Sequence, residues 1–316
     1  MKQKATNLSF IIPAKNEDGS IKILINEILK VTKTLKKSYE IIVIDDGSTD
    51  KTYEEVLKIH KKNKKIKIIK LRGNWGKSTA LQIGFGYAKG EIVFTMDADL
   101  QDNPKEIPNF IKKINEGYDL VSGWKKNRHD PISKVIPSRI LNNILIPFAT
   151  GVKLHDNNCG FKAYKAEVIN NLNLYGELYR FIPILASKQN FKITEIVVDH
   201  RQRKYGKSKF GWERNLKGFL DLITIVFLTG YSKRPAHFFG TIGVLSFLPG
   251  FFIGTYLTYL RITTGGIEFH LPLLILGLLL MMIGVQLITT GLVAEMITNY
   301  SLASKDLNKI IKIKNI

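Results

Sequence analysis

The chain has 316 residues, enough for one catalytic domain of roughly 200 residues with an appendage but not for several large domains. Its single cysteine, Cys159, excludes an intrachain disulfide and favours a reducing compartment. The net charge of +20 indicates an anionic partner: nucleic acid, an anionic membrane or a phosphorylated substrate. The apolar run at residues 8–12 is too short for a secretory signal, and we expect a first strand there.

The first two-thirds of the chain alternates strand-like and helix-like segments. Apolar or alternating runs predict strands within residues 8–13, 40–50, 65–71 and 91–100, and an amphipathic stretch over 18–36 predicts a helix. Such alternation is typical of an α/β fold with a mostly parallel sheet and helices on both faces. Ligands of such sheets bind outside the carboxyl ends of the strands, where two of these runs end in acids.

Two long apolar segments distinguish the last third of the chain. Residues 236–260 contain no charged group apart from His237, and residues 271–293 contain none, so each exceeds the roughly 20 residues that span a bilayer core. Buried helices of a soluble protein are the alternative, but these segments lack the polar face of such helices. We expect transmembrane helices over about 236–260 and 271–297, within a membrane domain covering 235–316.

The charges that flank these segments predict their orientation. Basic residues cluster before the first segment and after the second, whereas Arg261 is the only basic residue between them. The positive-inside rule then places both flanks, and a catalytic domain over 1–209, on the cytoplasmic side of the cytoplasmic membrane. Residues 210–234 are expected to form amphipathic helices lying on the membrane surface.

An acidic motif, Asp97-Ala98-Asp99, ends the fourth predicted strand. Two carboxylates separated by one residue can reach a single hard cation, and Mg²⁺ and Mn²⁺ prefer oxygen ligands that substrate phosphates complete. Gln101 adds another oxygen ligand. A solvated loop is the alternative for so short a motif, but its place at a strand end favours the metal site.

Three other loops are expected at the same edge of the sheet. Asp45 and Asp46 open a turn that caps a helix, and either acid can also accept hydrogen bonds from a base or ribose. Residues 13–17 end the first strand. Residues 72–77 end the third, where glycines allow close backbone approach and Lys77 can meet a phosphate at a helix N-terminus. Each of these loops, taken alone, has a purely structural explanation.

Together these motifs resemble the family 2 glycosyltransferases of the GT-A fold. Within that family they resemble the polyprenyl-phosphate branch of dolichyl-phosphate mannose synthases and bactoprenol glucosyltransferases. The resemblance covers most of residues 8–235 and extends to the two C-terminal spans. It rests on seven ordered motifs, which are specific for the family and much less so for the sugar: IIPAKNE, VIDDGSTD, LRGNWGKSTAL, FTMDADLQD, DLVSGWK, HDNNCGFKAY and GELYRFIPIL.

The resemblance implies roles for individual residues. The nucleotide would be bound by Pro13, Ala14, Glu17, Asp45, Asp46, Gly73, Lys77, Asp97 and Ala98. Mg²⁺ or Mn²⁺ would be held on the diphosphate by Asp97, Asp99 and Gln101. Asp156 matches the acid proposed as general base. The lipid phosphate would be met by Lys125, Arg139, Arg201, Arg203, Lys207, Ser208 and Lys209. At the first of these positions related enzymes often have arginine, a planar fork rather than a point charge.

The implied reaction is inverting transfer of a hexose from a UDP- or GDP-linked sugar to a polyprenyl phosphate. Because a phosphate acceptor is already anionic, positioning and stabilisation of the leaving diphosphate should matter more than a strong base. Asp156 is then a base or a group that orients the acceptor, and His155 is expected to be an exposed loop residue. The QxxRW motif of processive polysaccharide synthases is missing.

Other functions remain as alternatives. A transferase of this kind could instead act on diacylglycerol or on a lipid-linked oligosaccharide, and a non-catalytic basic membrane scaffold is a further possibility. Nucleic acid is disfavoured as a partner, because the lysines lie singly on helix faces without interleaved aromatic residues. The expected partners are therefore a nucleotide-sugar, a polyprenyl phosphate and the bilayer, and homo-oligomerisation through the two spans is left open.

Overall fold

The computed structural model describes residues 7–126, 146–202, 224, 227 and 234–303. The chain divides into two compact units, Met1–Ile225 and Val226–Ile316. The predicted domain division at residues 209 and 210 lies outside the described residues, as does most of the predicted interfacial segment 210–234. Both therefore stay predictions.

One seven-stranded sheet forms the centre of the first unit. Its strands are β1 (Leu8–Ala14), β2 (Tyr39–Asp45), β3 (Ile66–Lys70), β4 (Ile92–Thr95), β5 (Leu120–Trp124), β6 (Lys162–Lys165) and β7 (Ile193–Val197). Their spatial order is β3-β2-β1-β4-β6-β5-β7, and β6 runs antiparallel to both of its neighbours. The expected mostly parallel α/β sheet is confirmed, and the insertion of β6 between β4 and β5 is an addition that the sequence pattern did not predict.

Helices cover both faces of this sheet. They are α1 (Ile21–Leu35), α2 (Thr52–Lys62), α3 (Lys77–Tyr87), α4 (Ile107–Asn115), α5 (Ile146–Thr150), α6 (Ala166–Asn171) and α7 (Ile182–Lys188). Short 3₁₀ turns occupy Pro104–Glu106 and Leu178–Phe181. The amphipathic stretch of the sequence becomes α1, because Ile21, Leu24 and Ile28 recur at helical spacing and are fully buried.

The two faces of β1 show why its sequence is apolar throughout. Phe10 packs on one face and stacks on Phe94 of β4 at a centroid distance of 5.1 Å. On the other face Ile11 touches α3 so closely that a Cβ at Gly84 would lie 2.4 Å from its Cγ2. A strand buried on both faces reads as a continuous apolar run rather than an alternating one.

Strand register brings the functional loops to one edge of the sheet. Ala14 at the end of β1 pairs with Asp45, which in turn pairs with Lys70 at the end of β3. The loops after β1 and β2 are also joined, since Oγ of Ser48 accepts from the backbone N–H of Asn16 at 3.0 Å. The carboxyl ends of these parallel strands therefore present their loops together, as expected.

The second unit contains two long helices, α8 (Pro235–Thr264) and α9 (Leu271–Ala303), joined by a 3₁₀ turn at Glu268–His270. Residues 235–264 and 271–297 are long and apolar enough to cross a membrane. The helices run antiparallel in close contact, since a Cβ at Gly250 would lie 2.5 Å from the carbonyl oxygen of Gly277. Small residues permit such close packing between membrane helices.

Candidate active site

The two acids that follow β4 lie beside basic groups. Oδ1 of Asp97 accepts from Nζ of Lys77 at 2.5 Å, and the two side chains are 29% and 26% exposed, respectively. Asp99 is buried, and its Oδ1 accepts from the backbone N–H of Gln101 at 3.2 Å. A positive group thus already rests on Asp97, which shows that this carboxylate can accommodate a cation.

The segment from Asp156 to Gly160 closes against Asp97. A Cβ at Gly160 would lie 2.4 Å from Oδ2 of Asp97, so any larger residue there would displace this carboxylate. Oγ1 of Thr95 donates to the carbonyl oxygen of Gly160 at 2.9 Å, which ties the segment to the end of β4. Asp156 is buried, and its Oδ1 accepts from the backbone N–H of Asn158 at 3.1 Å. The predicted base therefore belongs to the loop that packs on a predicted metal ligand.

Neighbouring groups of opposite charge keep the lysines and Asp97 of this cluster in their charged forms. Partial burial opposes a charge on Lys77, but Asp97 outweighs it and keeps the pKa of Lys77 above its ordinary value. Partial burial likewise opposes ionisation of Asp97, while Lys77 and Lys125 keep its pKa below the ordinary value. Burial also disfavours a charge on Lys125, and Asp102 is the main group that raises its pKa. The site thus holds charged lysines beside ionised Asp97.

Lys162 and Cys159 lie behind the same loop. Lys162 is buried, and its ammonium donates to the carbonyl oxygen of Cys159. Burial lowers the pKa of Lys162 to about 8 and raises the pKa of Cys159 to about 12. A thiol kept protonated in this way is a poor nucleophile. Cys159 instead packs on β5, where a Cβ at Gly123 would lie 2.8 Å from its Sγ.

Asp102 is an acid of this site that the sequence interpretation did not assign. It is 1% exposed, and within the described part of the chain neither carboxylate oxygen has a hydrogen-bond partner. Nζ of Lys125 lies 3.7 Å from its Oδ1. Burial raises the pKa of Asp102 to about 6, with Lys125 acting in the opposite direction. The sequence feature that could have indicated its role is its position, because Asp102 is the third carboxylate within the segment 97–102.

If Lys125 meets an acceptor phosphate, as the resemblance implies, Asp102→Asn should lower kcat/KM for the acceptor by about tenfold, because Lys125 loses the buried charge that positions it. The measurement is steady-state transfer with the acceptor varied, next to Glu116→Gln, which alters an exposed ion pair with Lys113. Unchanged kinetics in Asp102→Asn would show that Lys125 is positioned by other groups.

Asp46 holds the glycine-containing loop that follows β3. Its Oδ1 accepts from the backbone N–H of Trp75 at 2.7 Å, and its Oδ2 accepts from that of Gly76 at 3.0 Å. Gly47 has a φ of +69°, and a Cβ there would lie 2.6 Å from the carbonyl carbon of Gly73. These contacts place the start of α3 beside the end of β2. They give Asp46 a structural role in addition to its predicted contact with the nucleoside, which stays a prediction.

The remaining predicted nucleotide-binding residues lie at the same edge. Pro13 and Ala14 end β1, and Ala14 is opposite Asp45 in the register. Asp45 is fully buried, and its Oδ1 accepts from the backbone N–H of Ser48 at 2.9 Å. The carboxylate of Glu17 accepts from Oγ of Ser20 at 2.7 Å, at the start of α1. The structure thus brings these residues together, and their contacts with a nucleotide stay predictions.

Arg201 has protein partners that sequence reasoning did not anticipate. Its guanidinium donates to Oε2 of Glu27 at 2.9 Å and to Oδ1 of Asn103 at 2.6 Å. Its backbone N–H donates to the carbonyl oxygen of Gln101 at 2.9 Å. Arg201 thereby ties the segment after the acidic motif to α1. Its contact with an acceptor phosphate stays a prediction. For that contact, the guanidinium would have to leave Glu27 and Asn103.

The other predicted acceptor residues are Arg139, Arg203, Lys207, Ser208 and Lys209, which lie outside the described residues. His155 is an exposed loop residue, as expected, and its ring stacks on Trp124 at a centroid distance of 4.0 Å. Tyr179 was also not singled out, although it lies in the GELYRF motif. Nζ of Lys77 lies 4.9 Å from the centre of its ring.

The side chains present fit a divalent cation that is shared with a substrate. Asp97 and Asp99 supply hard carboxylate oxygens, and the ammonium of Lys77 on Asp97 marks a position where positive charge is favourable. Across residues 7–126, 146–202 and 234–303, no group of three or more His, Cys, Asp or Glu side chains is arranged to hold a metal ion. This donor set suits a cation whose coordination is completed by phosphates and water.

Known structures share this fold at low sequence identity. Glucosyl-3-phosphoglycerate synthase from Mycobacterium tuberculosis, in complex with Mn²⁺ and UDP-glucose, aligns with a TM-score of 0.54 and 20% identity over 71% of this chain and 79% of that one. Mannosyl-3-phosphoglycerate synthase from Rubrobacter xylanophilus aligns with a TM-score of 0.57 and 16% identity over 70% and 73% of the two chains. The sheet and its helices thus form a GT-A fold.

Sequence comparison gives the family. Residues 9–172 match the model of glycosyl transferase family 2. The chain is 36% identical over 299 residues to dodecaprenyl-phosphate galacturonate synthase from Rhizobium johnstonii, covering 93% of this chain and 88% of the relative. It is 35% identical over 301 residues to undecaprenyl-phosphate 4-deoxy-4-formamido-L-arabinose transferase from Proteus mirabilis, covering 93% and 89%. The chain therefore belongs to glycosyl transferase family 2 and is a glycosyltransferase.

Proposed function

We propose that this glycosyltransferase moves a sugar from a nucleotide-sugar to a polyprenyl phosphate at a membrane surface. The observation that supports this most strongly is similarity over almost the whole chain, membrane helices included, to two relatives whose names specify polyprenyl phosphates. The cluster of Asp97, Asp99, Lys77 and Lys125 at one edge of the sheet supports transfer chemistry on phosphates.

In the proposed reaction, an oxygen of the acceptor phosphate forms a bond to the anomeric carbon of the sugar. The bond from that carbon to the diphosphate breaks, and its electron pair leaves with the nucleoside diphosphate. Attack from the opposite side inverts the anomeric configuration. The acceptor phosphate is mostly doubly ionised at neutral pH, because its second pKa is about 6. No proton therefore has to be removed from it, and Asp156 would orient the acceptor rather than act as a strong base.

The side chains at the edge would stabilise the leaving group. Asp97, Asp99 and Gln101 would hold a divalent cation, Mg²⁺ or Mn²⁺, which would supply positive charge to the diphosphate. Lys77 stands at the first position of α3, where a phosphate also meets unpaired backbone N–H groups. Lys125 would supply positive charge on the acceptor side. Such preorganised charge accelerates transfer because it requires little rearrangement during the reaction.

The full-length chain in neutral detergent micelles can test this proposal. A panel of radiolabelled donors would include UDP-glucose, UDP-N-acetylhexosamine, GDP-mannose and nucleotide-activated galacturonate and 4-deoxy-4-formamido-L-arabinose. Label from one donor should appear in the lipid phase with undecaprenyl or dodecaprenyl phosphate, and not with undecaprenol, which lacks the phosphate. Equal transfer to undecaprenol or to diacylglycerol would contradict a phosphate acceptor, and transfer from no donor would contradict the reaction.

The two apolar helices associate the chain with a membrane, and we propose that the catalytic unit faces the cytoplasm. Basic flanks and the nearly base-free connection between the helices support this orientation. A Gly265→Cys variant in a Cys159→Ser background should then react with a membrane-impermeant maleimide added outside intact cells. Gly265 ends α8 at the connection between the helices. Labelling that requires permeabilised cells would contradict this orientation.

A further inference from the structure

The ammonium of Lys77 forms an ion pair with Asp97, one of the two carboxylates that the proposed function assigns to a divalent cation. Its Nζ lies 2.5 Å from Oδ1 of Asp97, and neither side chain is fully buried. An ammonium at this distance and a divalent cation on the same oxygen would repel each other strongly. The two therefore compete for Asp97.

The backbone around Lys77 is fixed, so its side chain alone can move. The two preceding residues, Trp75 and Gly76, donate their backbone N–H groups to the carboxylate of Asp46. The carbonyl oxygen of Gly76 accepts the N–H of Ala80 at 3.1 Å, as α3 begins. The flexible stem of a lysine can swing its ammonium without disturbing these bonds.

The carboxylate of Asp97 packs against the backbone of Gly160. Even a Cβ at Gly160 would approach this carboxylate to 2.4 Å. Gly160 is itself held through its carbonyl oxygen by Thr95 at 2.9 Å. Gly160 limits the carboxylate on one side, whereas the longer and more flexible lysine stem can swing away, so we expect movement of the lysine to break the contact. The ring of Tyr179, 4.9 Å from Nζ, gives the ammonium a second favourable surface close by.

We propose that Lys77 is a placeholder cation. Its ammonium neutralises Asp97 when no divalent cation is bound, and it swings to the donor diphosphate when the divalent cation binds. This inference rests on the proposed function, since it assigns Asp97 to that cation. It also adds a consequence. Cation and nucleotide should bind with positive coupling, because the nucleotide gives Lys77 a new partner and thereby vacates Asp97.

The test measures Mn²⁺ binding rather than turnover. Full-length protein in neutral detergent micelles is titrated with Mn²⁺, and free Mn²⁺ is followed by electron paramagnetic resonance, first alone and then with saturating UDP or GDP. Lys77→Met should bind Mn²⁺ about tenfold more tightly than the wild type when no nucleotide is present. The gain in affinity that nucleotide produces should shrink by a similar factor, while Lys77→Arg should behave like the wild type.

Lys125→Met is the matched control, because it removes a nearby positive charge that is paired with Asp102 instead. If it tightens Mn²⁺ binding as much as Lys77→Met does, general charge removal explains the effect and the placeholder is refuted. Equal affinities of wild type and Lys77→Met would refute it as well. In both cases, transfer activity of the wild type would leave the proposed function standing. If no variant binds Mn²⁺ even with nucleotide, both the placeholder and a metal-dependent reaction are contradicted.

Discussion

Replacement of Asp99 by alanine is expected to lower transfer by about a thousandfold or more while the protein stays folded. Two consequences of the change combine. The proposed cation loses a carboxylate ligand, so the diphosphate leaving group is no longer neutralised. The backbone N–H of Gln101 also loses its acceptor, which loosens the next predicted ligand.

The measurement is the initial rate of label transfer at saturating donor, with and without EDTA, for wild type and variant. Wild-type activity should disappear in EDTA and return with excess Mg²⁺ or Mn²⁺, and Asp99→Ala should show little activity in either condition. Thermal unfolding should be similar for the two proteins. Glu116→Ala, which removes an exposed carboxylate, is the control. Full wild-type activity in EDTA would rule out the metal role of the Asp97–Asp99 motif.

The second large effect is on stability. Glu40→Ala is expected to lower the free energy of unfolding by about 3 kcal/mol, because three buried or partly buried groups lose their acceptor. Oε1 of Glu40 accepts from Oγ of Ser9 at 2.6 Å and from the backbone N–H of Lys89 at 2.7 Å, and Oε2 accepts from Nζ of Lys67 at 2.6 Å. Glu40 lies near the start of β2, at the opposite end from the candidate site.

Thermal unfolding of the full-length protein in micelles should show this as a fall in Tm of about 10 °C. Residual transfer at a temperature where the variant is folded should remain close to the wild-type rate. Glu55→Ala, which breaks an exposed ion pair with Lys58, is the control and should leave Tm nearly unchanged. A small effect of Glu40→Ala would mean that water replaces the lost acceptor.

The pH dependence of this contribution has a definite sign. Burial raises the pKa of Glu40, but hydrogen bonds from Lys67, Ser9 and Lys89 outweigh it and keep the pKa below its ordinary value. The stabilisation is therefore fully present above the ordinary pKa of a glutamate, roughly 4.3, and is lost as the pH falls through the lower folded value. The difference in stability between wild type and Glu40→Gln should be constant near neutral pH and should narrow in acid.

The fold class and the first four strands could be predicted from the sequence, because their signals are local. The runs that became β1, β2, β3 and β4 are apolar and bounded by turn residues, and the helical spacing of α1 is plain. Two apolar segments were recognisable by length alone. The three later strands, β5, β6 and β7, were not predicted, and β6 begins with Lys162, which is buried only in the folded chain.

The candidate site could be predicted in part. The motifs indicated which segments hold functional side chains, and the structure brings Asp97, Lys77 and Lys125 into one charged cluster. The sequence did not indicate that Arg201 binds Glu27 or that Asp102 is the buried partner of Lys125. Arg201 and Glu27 are 174 positions apart in the sequence, and Lys125 and Asp102 are 23 apart. A local sequence pattern cannot predict contacts between residues so far apart.

The sequence by itself determined the family, the α/β class, the two apolar helices and the acids expected at the strand ends. Each of these follows from the periodicity of apolar residues or from a short motif, and both are properties of neighbouring residues. Only the tertiary structure decided which charges face each other. Strand order and register set those distances, and the ionisation of a buried group depends on its distance from every other charge. The contact of Lys77 with Asp97, on which the placeholder proposal rests, is of this second kind.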